Sequence, residues 1–135
     1  MRIILCLDYS TFTEKVLATM QALTQSIKDC KISVIHIIDQ TLFTGGTGFE
    51  IQLNEDLEND GQNLKKLSTQ YLGKDINFIE EYGIPRQKID EILGGTDYDL
   101  LAIGSHSKSI LGTRRIGGVA EHLLLNSTKP VLIIP

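Results

Sequence analysis

Apolar residues recur along this chain in two rhythms that alternate from end to end. Residues 2–7, RIILCL, form a short continuous run, the pattern of a strand buried on both faces. Asp8-Tyr9-Ser10-Thr11 breaks it. Phe12, Val16, Met20, Leu23 and Ile27 then follow at three- and four-residue steps, which predicts an amphipathic helix over residues 12–28. Thr11 and Glu14 stand at capping-box spacing at its start. A second buried strand is expected at Ile32–Ile38, ended by Asp39. Thr41–Glu50, TLFTGGTGFE, reads as a loop, and Leu53, Leu57, Leu64, Leu67 and Tyr71 describe a longer helix. Ile76–Glu80 is a weaker, half-polar strand. Gly83-Ile84-Pro85 punctuates the chain, with Pro85 suited to the first turn of a helix. Ile89, Ile92 and Leu93 give that helix an apolar face, and Gly94-Gly95 end it. Asp99–Gly104 is a fourth strand, Val119, Leu123 and Leu124 mark a short helix, and Pro130–Ile134 is a final strand.

Strands that alternate with helices imply right-handed crossovers and a sheet covered on both sides. The expected fold is α/β: one doubly wound, mainly parallel five-stranded sheet of Rossmann-like type. No repeat or linker divides the chain, so one domain over residues 1–135 is expected. A composition of 41% hydrophobic and 22% charged residues is ordinary for a globular protein. The net charge of −4 argues against general binding to nucleic acid or to an anionic membrane surface, so any anion site must be local. No apolar run approaches the roughly 18 residues of a membrane span. The N-terminus carries no leader-like pattern, and a cytoplasmic location is expected. Cys6 and Cys30 each adjoin an apolar run and read as reduced, packed thiols.

Open parallel sheets take ligands beyond the carboxyl ends of their strands. The loop there with the most unusual composition is Gly104–Gly118, GSHSKSILGTRRIGG. Gly104 lets the backbone approach a ligand. Ser105, Ser107 and Ser109 offer hydroxyls, and Lys108, Arg114 and Arg115 supply positive charge. Gly117-Gly118 stand where the next helix begins, a place receptive to an anion. The segment is neither a P-loop nor a dinucleotide fingerprint. On residue chemistry alone, a phosphate site and a solvated surface loop both remain open.

The pattern as a whole resembles the universal stress protein family. RIILCLDYSTFTEKVL, VIHIID at Val34–Asp39, DLLAIGSHS at Asp99–Ser107 and KPVLIIP match that family's signatures in order and spacing. The resemblance also implies a fold like that of adenine nucleotide alpha hydrolases. One group of the family binds ATP through Gly, two residues, Gly, nine residues, Gly, then Ser or Thr. Here the spacing is Gly104, two residues, Ser107, nine residues, Gly117 and Gly118. Ser107 and Gly118 therefore depart from the motif. The lost hydroxyl and the added Cβ together imply binding weakened about 10- to 100-fold.

By that resemblance Asp8 would meet the ribose hydroxyls, the backbone of Ile37 the adenine edge, and Cys6 and Leu7 the base or ribose. Ile103, Gly104, Ser107, Gly117, Gly118, Val119 and Ala120 would surround ribose and phosphates, with Lys108 close by. The ligand implied is ATP, ADP or AMP, with Mg²⁺ accompanying it. Capping of the first helix is an equal alternative for Asp8. No dedicated catalytic set is legible, and at most slow ATP hydrolysis is expected. His36 reads as a packed, hydrogen-bonded residue, His106 as a loop residue, and His122 has no evident partner. The competing function is a dimeric interaction module that has lost the nucleotide. Either way the apolar last strand, 130–135, is expected to pair with its copy in a homodimer.

Overall fold

The computed structural model describes residues 1–39, 48–105 and 116–135, with 48–55 as helical backbone. In chain order these form β1 (Arg2–Cys6), α1 (Thr13–Thr24), β2 (Lys31–Asp39), α2 (Gly48–Leu72), β3 (Asn77–Gly83), α3 (Pro85–Gly94), β4 (Leu100–Gly104), α4 (Gly118–Asn126) and β5 (Val131–Ile134). All strand pairs are parallel, and the sheet order is β3-β2-β1-β4-β5. The expected α/β class holds, with a sheet that is parallel throughout. The order reverses direction between β1 and β4.

Side-chain alternation along the central strands divides the core into two layers. Ile3 and Leu5 of β1, with Leu7 just beyond it, point to one face, where Val16, Leu17 and Met20 of α1 and Leu64 of α2 cover them. Ile4 and Cys6 point to the other, against Ile89 of α3 and Ala120 and Leu123 of α4. Because both faces are buried, the central strands read as near-continuous apolar runs. At the start of β1 the Asp99 carboxylate accepts a hydrogen bond from the Arg2 backbone N–H at 2.8 Å. That bond, and then the Arg2 guanidinium, hold the Asp99 carboxyl below the usual carboxylate range.

Several expectations need correcting. Helix α1 spans Thr13–Thr24, shorter than 12–28, and Asp29 turns the chain back towards β2 with φ of 56°. Its start is not a capping box. Phe12 is the N-cap residue and makes no side-chain cap. Instead the Ser10 N–H donates to Thr13 Oγ1 at 2.8 Å, and that hydroxyl donates to the Asp8 carbonyl at 2.7 Å. The buried face of α1 is carried by Thr13, Val16, Leu17 and Met20, while Leu23 is 46% exposed.

The expected loop Thr41–Glu50 overlaps α2, which already includes Gly48–Glu50; the rest of that loop lies outside the described residues. Strand β3 runs to Gly83, beyond Glu80, because it pairs with β2 as far as Asp39↔Gly83. Leu124 of α4 is exposed. No helix among the described residues is long and apolar enough to cross a membrane.

Candidate functional site

The carboxyl ends of β1, β2 and β4 open into a cleft of about 760 Å³. It lies at the reversal in strand order, where an open parallel sheet leaves room for a ligand between diverging crossovers. That volume is within the range of roughly 300–1,000 Å³ usual for small-molecule sites. Cys6, Leu7, Asp8, Ile37, Ile103, Gly104, Gly117, Gly118, Val119 and Ala120 all line it. Ser107 and Lys108 lie outside the described residues, as do His106, Ser109, Arg114 and Arg115.

Each wall of the cleft follows from local structure. Asp8 is exposed on the turn after β1, whose backbone the Thr13 hydroxyl fixes through the Asp8 carbonyl. The hydrogen bonds at that turn use the Ser10 and Thr13 hydroxyls. Strand β2 outruns β1: the last bond between them is from the Leu7 N–H to the Ile35 carbonyl at 3.0 Å. Main-chain groups two residues apart on a strand point the same way. The N–H and C=O of Ile37 therefore face the cleft side, past the end of β1. Cys6 contributes an apolar floor, and burial pushes its thiol up to about 12, so it is inert at neutral pH.

The far wall is the junction of β4 with α4. Gly104 packs so closely on α1 that an added Cβ would lie 3.1 Å from Val16 Cγ2. Ser105 is pinned twice, its N–H donating to the Ile134 carbonyl and its carbonyl accepting from the Gly117 N–H, both at 2.8 Å. The Gly117 N–H is thereby committed to the chain itself. Helix α4 starts at Gly118 after a Gly117 N-cap in extended conformation. The first-turn N–H groups of a helix lack partners within it, and Gly118, Val119 and Ala120 line the cleft.

Asp39, Ile84 and Pro85, from the strand-end loops expected to border a site, also line the cleft. So do Arg86 of α3 and Leu57 and Asp60 of α2, which the sequence did not suggest. Position alone could have indicated Arg86, since it directly follows a loop at the carboxyl end of a strand. His36 is buried, as expected, and its Nδ1 meets Glu80 Oε2 at 3.0 Å. Gly61 of α2 leaves the space that the Glu80 carboxylate fills. His122 does have a partner: its Nε2 lies 2.8 Å from Asp90 Oδ2, joining α4 to α3. Among the described residues no cluster of three or more His, Cys, Asp or Glu is placed to hold a metal.

Comparison with known proteins places this architecture. A model of the universal stress protein family matches residues 1–135. Universal stress protein MJ0577 of Methanocaldococcus jannaschii is 28% identical over 147 residues, covering 94% of this chain and 90% of that protein. The solved structure of MJ0577 superposes with a TM-score of 0.79 at 26% identity, over 98% of this chain and 94% of the other. Two more distant structures share the fold and contain nucleotides. A universal stress protein in complex with cAMP has a TM-score of 0.68 at 16% identity, over 98% of this chain and 94% of its own. One from Archaeoglobus fulgidus in complex with dAMP has a TM-score of 0.55 at 20% identity, over 100% and 98%.

Proposed function

Because this chain belongs to the universal stress protein family, we propose that its cleft binds an adenine nucleotide and that the protein acts as a small nucleotide-responsive regulator. The observation that carries the reading is convergence. One cleft at the strand reversal gathers a carboxylate, Asp8, main-chain groups at Ile37 and the start of α4. Asp8 would accept the ribose hydroxyls and Ile37 the adenine edge. Cys6 and Leu7 would pack against the base, with Ile103 and Gly104 beside the ribose. Phosphates would lie on Gly118, Val119 and Ala120, and Ser107 and Lys108 would belong to the same ligand. Complexes of fold relatives with cAMP and dAMP support the ligand class.

The residues fit such a group, since the cleft offers apolar walls, a carboxylate and the start of a helix. Mg²⁺ would arrive bound to the phosphates of ATP. A ligand that binds only the folded state raises its stability by mass action, by about 2.7 kcal/mol at 100 times Kd. The melting temperature is therefore expected to rise with ATP, ADP or AMP. No rise at millimolar nucleotide would favour the second reading, an interaction module without nucleotide.

One observation favours an interaction role alongside the nucleotide. Strand β5 is an edge of the sheet, bonded to β4 on one side only, and α4 exposes Leu124 and Leu125, the latter at 74%. An unprotected apolar edge invites a partner strand. Pairing of residues 130–135 with a second copy would cover it. Light scattering at micromolar concentration is expected to report a dimer; a monomer mass would contradict that pairing.

A further inference from the structure

Gly118 stands where the family's nucleotide-binding motif has a hydroxyl residue, and the structure shows what uses the space. A Cβ built on Gly118 would lie 2.6 Å from Nη2 of Arg86. The guanidinium of Arg86, from the first turn of α3, thus lies against the first residue of α4 inside the cleft. A Cβ at position 118 would require the guanidinium to shift, as the end of a flexible side chain can, and glycine leaves it room where it lies.

Arg86 lies between the positive ends of two helices, in a cleft that Asp8, Asp39 and Asp60 also line. The N-terminal end of a helix carries partial positive charge and repels a cation. Arg86 sits one residue after Pro85 at the start of α3, and its guanidinium abuts the start of α4. Helix α3 has no acidic residue in its first turn; that of α4 has Glu121. The acid one turn along α3, Asp90, is held by His122 at 2.8 Å. Among the described residues no hydrogen bond or ion pair engages Arg86; the neighbouring Lys88 takes Glu81 and Glu91. An anion between Arg86 and the α4 N–H groups would satisfy all of these at once. A guanidinium is suited to that, since it presents a planar fork of donors to phosphate oxygens.

We propose that Arg86 is a phosphate-binding cation of this cleft and that, together with Gly118, it helps select a phosphorylated nucleoside over the bare nucleoside. The proposal rests on the nucleotide reading above. It adds a residue outside the glycine motif, and it makes the substitution at position 118 and the arginine at position 86 a coupled pair.

Calorimetric titration of AMP, adenosine and inorganic tripolyphosphate into the intact chain, Arg86→Ala, Arg86→Lys and Gly118→Ser tests it. Arg86→Ala is expected to weaken AMP about 10- to 100-fold, the worth of a charged hydrogen-bonded contact, and to leave adenosine unchanged. Arg86→Lys should fall between, because it keeps the charge and loses the fork. Gly118→Ser restores the motif hydroxyl but also displaces the guanidinium, so it should favour AMP less in the intact chain than in a double variant that also carries Arg86→Ala. Since Arg86 is exposed, all variants are expected to keep the far-UV dichroism of the parent. AMP binding unaffected by Arg86→Ala, or an equal loss for adenosine, would overturn the proposal. If the intact chain binds neither AMP nor adenosine, the nucleotide reading fails, and tripolyphosphate decides for Arg86. Tripolyphosphate binding that Arg86→Ala abolishes upholds the cation, whereas absent or unchanged binding removes it.

Discussion

Truncating Leu17 to alanine is expected to cost about 2–5 kcal/mol of folding stability, while the same change at Leu23 costs about 1 kcal/mol or less. Leu17 is fully buried and packs into the layer formed by Leu5, Val34, Met20 and Ala102. Removing its branched end leaves a cavity under the central strand that α1 cannot close without pulling away from the sheet. Leu23 is 46% exposed at the end of the same helix, so little apolar surface returns to water. Against a typical total of about 5–15 kcal/mol, the first loss is a large fraction. It should lower the melting temperature by on the order of 10 °C. Urea unfolding followed by far-UV dichroism measures both variants. Equal costs would mean that α1 is rotated from the orientation described.

Asp8→Ala is expected to weaken binding of ATP or AMP by about 10- to 100-fold, because a carboxylate that accepts two hydroxyl hydrogen bonds is among the stronger polar contacts. The substitution removes only the side chain. The turn itself keeps the bond from the Thr13 hydroxyl to the Asp8 backbone carbonyl, and far-UV dichroism and melting of the variant check that it stays folded. The control is an adenine nucleotide that lacks both ribose hydroxyls. It should bind the parent and the variant alike, since the contact in question does not exist for it. If Asp8→Ala weakens both ligands equally, Asp8 acts on the shape of the turn and not on the ribose.

How much of this was legible in the sequence depends on what each feature answers to. Strands β1, β2 and β4 lie in the interior of the sheet and are apolar on both faces, so RIILC, KISVIHIID and LLAIG could be read directly. Strand β3 is an edge and alternates, as NFIEEYG does; its last residues are a strand only because Ile38 and Asp39 pair with them. In α1 the three- and four-residue steps from Phe12 to Ile27 described a helix and placed Val16 and Met20 correctly in its buried face. Thr13 and Leu17 face the core, and Phe12 and Leu23 do not. The stop at Thr24 also depends on a return to the sheet that periodicity does not encode.

For the cleft, Asp8, Gly104 and Gly117-Gly118 were accessible because each sits at a strand end or a helix start in sequence order, and Ile37 came from the family resemblance. Arg86 also stands at a helix start, but its part in the cleft was not legible. Its relation to Gly118 spans 32 residues of chain and exists only where the first turns of α3 and α4 meet. The significance of a glycine at position 118 was hidden for the same reason. Sequence comparison registers the missing hydroxyl, and only the packing registers the guanidinium beside it. The pairing of His122 with Asp90 is likewise a contact between helices that no spacing announces.

The claim on which the rest depends is that this cleft holds an adenine nucleotide. Isothermal titration of AMP into the unmodified chain tests it most directly. Saturable heat with one nucleotide per chain is expected, with AMP, ADP and ATP competing for that one site. A flat titration at several millimolar AMP, with ADP and ATP equally silent, would contradict it.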